Sequence, residues 1–384
     1  MVGGGQLGRL FVLEARRMGY RTIVLDPDGS APAGQAADDQ ILAPLSDVDA
    51  AMELAARADV VTLEWENADI SAIAALEERL PVRPGTRALR VAQNRLLEKT
   101  EARRLGLNTA EFRAVSDSTE LAAALAELGV PAILKTAMGG YDGRGQALIR
   151  AADDADAAFA ALGGGAVPLI LEAFVEFRLE ASVICARGVD GTMASFPIVE
   201  NRHHRGILDV TLAPARVSEA VAREAVEIGE TLTRGLDVVG LLAVELFIGI
   251  DDRLYVNEIA PRPHNSGHYT WEACSVSQFE QQLRAVCGLP LARPVLLRPA
   301  AMANLLGEHC GTGGGLTTVA EALSTPMLSL HLYGKRTARP GRKMGHLTAL
   351  ADDVESAADR VLSARAAIRA EYGGLYPDAA GGDV

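Results

Sequence analysis

The chain has 384 residues, 49% of them hydrophobic and 23% charged, with a formal charge of −13. That length exceeds one ordinary core, so two or three domains are expected, and the acidic balance argues against DNA or RNA as a partner because phosphate backbones attract basic surfaces. Cys185, Cys274, Cys287 and Cys310 show neither CxxC nor metal-ligand spacing and read as small buried thiols of a reducing compartment.

The opening MVGGGQLGRL has neither the basic n-region nor the apolar h-region of a signal peptide. It reads as a clipped strand, as though a residue or two were missing ahead of the glycines, followed by a helix over about 7–18. RTIVLD (21–26) and DVVTLEWE (59–66) read as further strands, giving a parallel, doubly wound α/β unit over 1–80. Its Gly3-x-Gly5-x-x-Gly8 turn, with Asp26 closing the second strand, matches the dinucleotide fingerprint on paper. Gln6, whose amide falls at the helix N-terminus, favours a different phosphate-bearing ligand; NAD and plain turn geometry stay open.

Residues 81–110 read as a connection, in which Pro81, Pro84 and Gly85 break the pattern and a basic helix runs over 87–105. A second unit follows, with a helix at 118–128, strands PAILK (131–135) and QALIR (146–150), a helix over 153–162 and the strand PLILEAF (168–174). Between the first two strands lies the glycine-rich GGYDGRGQ (139–146). No Gly-Lys-Ser/Thr follows, so it is not a P-loop. Strands on both sides make it a hairpin tip, similar to the kinase lid that folds over the phosphates of ATP. Lys135 ends the strand leading in, placed to reach a phosphate as a point charge; a mobile hairpin with a solvated lysine is the alternative.

The later region has an antiparallel flavour: LEASVICAR (179–187), GTMASFPIVE (191–200), a long helix over 219–235, then the hairpin GLLAVELFIGIDDRLYVNEIAPRP (240–263). A two-residue turn at Asp251-Asp252 puts Ile250 opposite Arg253 and Glu245 opposite Glu258. Two facing carboxylates on largely apolar strands repel and lose hydration, which makes sense if a divalent cation sits between them. Paired oxygen ligands with room for phosphates suit Mg²⁺ (or Mn²⁺); a slipped register with one glutamate in solvent is the alternative. The apolar run 238–250 is too short to span a bilayer and holds Glu245, so a cytoplasmic protein with no membrane partner is expected.

In 300–384, two short strands and a terminal helix over about 354–370 accompany HLYGKRTARPGRKMGHLT (331–348). Lys335, Arg336, Arg339, Arg342, Lys343 and His346 concentrate positive charge there, and glycine turns let Lys335 and Arg342 converge on one phosphate monoester. A solvated basic loop is the alternative. The bulk of 300–330, including GTGGGLT (311–317), carries no readable motif and is taken as scaffold.

Lys135, the GGYDGRGQ loop, Glu172, Glu180, Glu245 and Asn257-Glu258 together resemble an ATP-grasp enzyme. GGGQLGR (3–9), GGYDGRGQ (139–146), NEIAPRPHNSGHYT (257–270) and PGRKMGHLT (340–348) narrow the resemblance to the N5-carboxyaminoimidazole ribonucleotide synthetases of purine biosynthesis, in order and over essentially the whole chain. The implied fold class is α/β and α+β: an ATP-grasp fold with an N-terminal doubly wound parallel α/β domain (1–98) and a small C-terminal domain (296–384). The ATP-grasp domain itself would span 99–295, with its lid at about 110–172. The implied enzyme is an ATP-dependent C–N ligase that joins bicarbonate to 5-aminoimidazole ribonucleotide through carboxyphosphate, releasing ADP and phosphate. The family also implies a homodimer.

The resemblance further implies a site. Glu245 and Glu258 would hold the metal. Arg95, Lys135, Gly140, Tyr141, Asp142, Gly143, Arg144, Gly145, Gln146, Glu172, Ala173, Phe174, Val175, Glu180, His203, Asn257 and Glu258 would line the ATP site, with Glu180 on the ribose hydroxyls. Lys335 and Arg342 would take the 5′-phosphate of the acceptor, with Gln6 and Glu64 near its ribose or base and Glu66 the alternative to Glu64. Tyr141, Asp142 and Arg144 would approach the acceptor from the lid. Arg262, His264 and Asn265, with Arg144, would surround bicarbonate or carboxyphosphate, and no general base is assigned. Rival readings are another ATP-grasp ligase, such as a formate-dependent glycinamide ribonucleotide transformylase or a biotin carboxylase, an NAD-dependent oxidoreductase using the first glycines, and a non-catalytic nucleotide sensor.

Overall fold

The computed structural model describes residues 1–140, 143–310 and 319–370, so Tyr141, Asp142 and GTGGGLT (311–317) lie outside the described residues. At the N-terminus the helix Gln6–Arg17 buries Leu7, Leu10, Phe11 and Ala15. Strand β1 (Ile23–Leu25) pairs in parallel with β2 (Asp39–Ile41). The strands expected at 1–5 and 59–66 shrink to single parallel bridges, Val2 with Leu25 and Leu63, and Val61 with Val82. Gly3, at φ +91°, turns the chain away from the sheet directly after Val2. The parallel order is kept, but with very short strands.

The basic helix expected over 87–105 is two helices, Thr86–Ala92 and Arg95–Arg104. Asn94 separates them in extended conformation and caps the second, its side chain accepting from the amides of Leu96 and Leu97. Because the second helix begins at Arg95, that residue sits where its own amide bonds to Ala137 O, at the foot of the glycine hairpin.

Strands β3 (Phe112–Val115), β4 (Ala132–Thr136), β5 (Gln146–Ile149) and β6 (Leu169–Ala173) form an antiparallel sheet in the order β3-β6-β4-β5. The short β3 was not anticipated. Val115, Leu121, Leu125, Leu134, Ile149, Leu169 and Leu171 form the core between this sheet and its helices, of which Ser118–Leu128 lies where its pattern predicts.

The main sheet contains β7 (Phe177–Arg187), β8 (Met193–Ser195), β9 (Val199–His204), β10 (Ile207–Ala213), β11 (Gly240–Gly249), β12 (Leu254–Ala260), β13 (Ala300–Leu306), β14 (Leu328–Leu332) and β15 (Lys343–Leu350). Its order is β12-β11-β7-β9-β10-β13-β15-β14, with β8 on β7, and all pairings are antiparallel. The expected strand 191–200 is thus split, with Pro197 falling in the gap. Strand β10, also unforeseen, returns from β9 through Arg205-Gly206, both at positive φ as a tight hairpin requires. Strands from 300–350 continue the central sheet edge to edge.

Alternation along the strands gives this sheet two characters. Val183, Cys185, Leu242, Val244, Leu246 and Val256 face the helix Glu219–Gly235 and form a dry core with Ile228 and Leu232. The opposite face carries Glu180, Ser182, Asn201, His203, Glu245 and Glu258. The expected two-residue turn of the β11–β12 hairpin does not form. The loop is longer, closed by Gly249 N to Arg253 O at 2.8 Å, with Asp252 at φ +63° and Ile250 exposed. The register beside that loop pairs Leu246 with Val256, and a bulge at Asn257 then restores Glu245 opposite Glu258. The facing pair is correct, but the bulge makes it so. The extra residue also sends Asn257 and Glu258 to one face, because Val256 and Ile259 on either side both enter the core. Among the described residues no helix is long and apolar enough to cross a membrane.

Candidate active site

Lys135, at the end of β4, is buried and holds Glu172 of β6, Nζ to Oε2 2.8 Å. Lys99, from the helix that starts at Arg95, reaches the other oxygen of Glu172 at 3.4 Å and donates to Asn257 O at 3.3 Å. Burial pushes the Glu172 carboxyl up, yet the charges of Lys135, Lys99 and Arg95 outweigh it and hold it at about 2. The Lys135 ammonium is pulled below its ordinary value by burial, against the attraction of Glu172. Arg95 spans the gap, donating to Glu258 Oε2 at 3.3 Å and to Gly140 O at 3.2 Å. The glycine hairpin closes tightly on itself: a Cβ on Gly140 would meet Arg144 O at 2.9 Å. Its Gly143 packs on Gly206, so the tip rests against the β9–β10 turn. Gln146 pairs with Lys135 across that hairpin.

Glu180 and His203 meet on neighbouring strands, Oε2 to Nδ1 2.5 Å. Burial lowers the His203 pKa, but Glu180 and Glu245 raise it above the usual imidazole value. Glu245 lies 3.2 Å from His264 Nε2. Burial pushes its carboxyl up, while His264, His203 and Lys343 bring it down to about 2. The fit to a divalent cation can be judged from the donors. Two carboxylates face each other, and the buried Asn257 Oδ1 beside them is an acceptor without a hydrogen-bond partner. Among the described residues no three His, Cys, Asp or Glu side chains form a metal site on their own. The oxygen set therefore suits a hard cation shared with ligand phosphates. Ala173, Phe174 and Val175 line a cavity of about 950 Å³ with Arg103, Thr109 and Tyr255, apart from Lys135, Glu245 and Glu258.

The Arg262–Asn265 run connects this floor to the N-terminal unit. Glu66 clamps the Arg262 guanidinium through both carboxylate oxygens. Burial raises the Glu66 carboxyl, but Arg262 offsets that and leaves it below its usual value. The buried Gln278 fixes the His264 backbone from both sides, accepting from His264 N at 2.8 Å and donating to His264 O at 2.7 Å. Asn265 is buried with both amide atoms lacking a partner, which is the state of a group built to meet a ligand.

The first glycine turn is filled by the chain itself. Gly4 N donates to Asp26 Oδ2 at 2.7 Å, Gly8 N to Glu64 Oε2 at 2.8 Å, and Gly5 N to Glu64 Oε1. Burial raises the Glu64 carboxyl against those amide bonds. A pyrophosphate would have to displace Glu64, so the dinucleotide reading fails. Glu64 and Glu66 have separate tasks. Gln6 opens the helix beside this turn, partly exposed.

Lys335 donates to Lys343 O at 2.8 Å and lies 5.7 Å above the Tyr333 ring, and its charge is felt by Glu64. Arg342 donates to Thr337 O at 2.8 Å. Gln35 ties this segment to the N-terminal unit through Gly334 O at 2.9 Å. His346 does not belong to the cationic cluster. It is fully buried, bonded to Tyr333 Oη at 2.9 Å and stacked on His331 at 4.6 Å, and burial drives its pKa far below the usual value, so it is neutral.

Models of three families match the chain in succession: the ribonucleotide synthetase preATP-grasp domain over residues 1–93, the ATP-grasp domain over 100–279, and the phosphoribosylaminoimidazole carboxylase C-terminal domain over 300–360. The N5-carboxyaminoimidazole ribonucleotide synthase of Bacillus subtilis (strain 168) is 43% identical over 348 residues, covering 91% of this chain and 90% of its own. The chain belongs to the N5-carboxyaminoimidazole ribonucleotide synthase family. A Brucella melitensis synthase of that name is 45% identical, covering 91% and 94% of the two chains. An ADP complex of an N5-carboxyaminoimidazole ribonucleotide synthetase superposes with a TM-score of 0.90 at 42% identity, over 97% and 96% of the chains. The Aspergillus clavatus synthase, solved with ADP and 5-aminoimidazole ribonucleotide, gives 0.87 at 35%, over 96% and 97%. As a member of this synthase family, the chain is an ATP-dependent ligase of ATP-grasp fold.

The helix that starts at Arg95 holds residues of this synthase that escaped the sequence reading. Lys99 and Glu98 lie on a helix that reads simply as basic, yet both are buried under the site. Glu98 Oε1 accepts from Ile259 N; burial, then the charge of Glu258, push its carboxyl up to about 8. No local pattern marks them.

Proposed function

We propose that this synthase carboxylates 5-aminoimidazole ribonucleotide with bicarbonate at the expense of ATP, through carboxyphosphate, giving N5-carboxyaminoimidazole ribonucleotide, ADP and phosphate. The observation that carries this reading is one chain of buried ion pairs and hydrogen bonds that joins the two sheets to the N-terminal unit. Glu245 and Glu258 of the main sheet meet Lys135 and Glu172 of the small sheet at one end, joined through Arg95 and Lys99. Lys335 and Arg342 lie toward Glu64 at the other, and the Arg262–Asn265 run lies between.

Phosphoryl transfer asks mainly for positioning and charge neutralisation. Lys135 and Arg95, now engaged with Glu172 and Glu258, are the cations available to phosphate oxygens. Gly140, Gly143, Arg144 and Gly145, with Tyr141 and Asp142, belong to the lid that would close over them and exclude water from a labile anhydride. Mg²⁺ held by Glu245, Glu258 and Asn257 would neutralise charge on the β- and γ-phosphates. Arg262, rigid against Glu66, offers its remaining N–H groups to bicarbonate, and the unpartnered Asn265 amide can bond the same group. Lys335 and Arg342 receive the 5′-phosphate of the acceptor, which aims its exocyclic amine at the activated one-carbon acid. Gln6 and Glu64 lie at the acceptor end.

The division into 1–98, 99–295 and 296–384, the homodimer and a cytoplasmic location belong to the same reading. ADP release tests it: aminoimidazole ribonucleotide plus bicarbonate should stimulate release, and formate or biotin should not. Stimulation by formate in place of bicarbonate would assign the chain to another ATP-grasp ligase.

A further inference from the structure

A row of buried hydrogen bonds runs behind the Arg262–Asn265 segment, across three strands of the main sheet. Thr211 Oγ1 donates to Asn201 Oδ1 at 3.0 Å, and Asn201 Nδ2 donates to Ser182 Oγ at 3.0 Å. Ser182 Oγ lies 2.7 Å from Ser266 Oγ, which lies 2.8 Å from His264 Nδ1. His264 Nε2 in turn faces Glu245 Oε1 at 3.2 Å. Thr211, Ser182 and Ser266 are fully buried, and Asn201 nearly so. The first four links end on Nδ1, the ring nitrogen that does not face Glu245.

Hydroxyl groups and imidazoles can bond in either sense, so such a row has no direction of its own. One donor in it cannot turn around. The backbone N–H of Ser266 points at His264 Nδ1 at 3.3 Å. A fixed N–H requires a lone pair on Nδ1, so the neutral ring carries its proton on Nε2. Ser266 Oγ–H then donates to Nδ1 and Ser182 Oγ–H to Ser266. Asn201 sustains the same sense with its N–H₂ end toward Ser182 and its carbonyl toward Thr211. Each hydroxyl has one proton, and each is already committed.

We propose that Ser182, Asn201 and Thr211 are positioning residues that lock His264 in its Nε2–H form, so that it presents a hydrogen-bond donor to the reacting centre and not a basic lone pair. The role rests on the reading that His264 lines the bicarbonate pocket; the locked form itself does not. In the unliganded site the Nε2–H meets Glu245 Oε1; with that carboxylate engaged by a cation, the same N–H serves an oxygen anion, such as that of bicarbonate or of carboxyphosphate. It also explains why two hydroxyls and an amide are kept in a sheet interior where apolar side chains would pack without hydrogen-bonding demands.

Long-range ¹H–¹⁵N correlation spectra of the unliganded protein test this directly, with the His264 signals assigned by their loss in His264→Gln. The expected result is Nδ1 as the unprotonated nitrogen and Nε2 as the protonated one. A proton on Nδ1 in the wild type overturns the proposal, whatever the enzyme's substrate. Ser182→Ala removes the donor that keeps Ser266 Oγ–H turned onto Nδ1 and leaves only the longer Ser266 N–H contact at 3.3 Å to hold the tautomer, so the second tautomer should become more populated. The same variant should lower kcat on the order of 10-fold without changing the KM for ATP, and Ser182→Thr, which keeps a hydroxyl, should restore both. A Ser182→Ala protein with the wild-type spectrum and kcat also overturns it; if that variant does not fold, the wild-type spectrum decides. Absence of ADP release with the proposed substrates would refute the functional reading while leaving the tautomer result standing.

Discussion

The facing carboxylates of Glu245 and Glu258 make the sharpest residue-level claim. Glu258→Gln keeps shape and removes charge, so turnover of Mg·ATP should be lost while the circular dichroism spectrum is unchanged; residual turnover near the wild-type rate would remove Glu258 from the site. Lys335→Ala should weaken acceptor binding by about 1.5–3 kcal/mol, the worth of a charge-assisted hydrogen bond, and leave the KM for ATP alone. Glu98 gives a pH prediction. Its carboxyl is raised from an ordinary 4.5 to about 8, chiefly by burial, so the folded state holds a proton that the unfolded chain has released. Stability should therefore fall as pH rises from about 4.5 to about 8. Glu98→Gln, which keeps an acceptor for Ile259 N, should flatten that fall in urea unfolding measured without magnesium; an unchanged slope would contradict the burial argument. Most of the proposed site residues were legible because they are charged groups inside short glycine-, proline- and asparagine-rich motifs. Lys99, Glu98, Ser182 and Asn201 were not, since a sequence does not reveal which face of a polar helix is covered or which strand serine lies under a histidine.

Among the elements, the break at Asn94 carries the most consequence. Asn is neither Pro nor Gly, so a continuous basic stretch hid a helix boundary that only the side-chain cap makes. Asn94→Ala should cost about 1 kcal/mol in chemical unfolding, as cap losses do. It should also raise the KM for ATP, because Arg95 would lose its fixed position below Gly140. An unchanged KM would separate the cap from the site. The Asn257 bulge teaches the converse. The facing glutamates follow from counting across a two-residue turn, but the real loop is longer and the count is right only because one extra residue sits in β12. The strands β3 and β10 were missed, one for shortness and one because its Arg-Gly turn lacks the Asn-Gly or Asp-Gly signal.

On the scale of the whole molecule, the glycine turn at the start looked like a ligand cradle and proved to be an internal joint, its amides taken by Asp26 and Glu64. Such pairings join distant segments, and no local pattern reports them. The same holds for the strands of 300–350, which extend the central sheet and bring Lys335 to the turn where Glu64 lies. On the proposed reading the acceptor end of the site would thus be made from both ends of the chain, and the ATP end from its middle. A joint site of this kind predicts that neither half reaction runs freely without the other substrate in place. The most direct measurement uses bicarbonate labelled with ¹⁸O. If its oxygen attacks the γ-phosphate at this site, the inorganic phosphate released with aminoimidazole ribonucleotide present will carry one ¹⁸O from bicarbonate. Phosphate bearing oxygen from water alone would contradict the account.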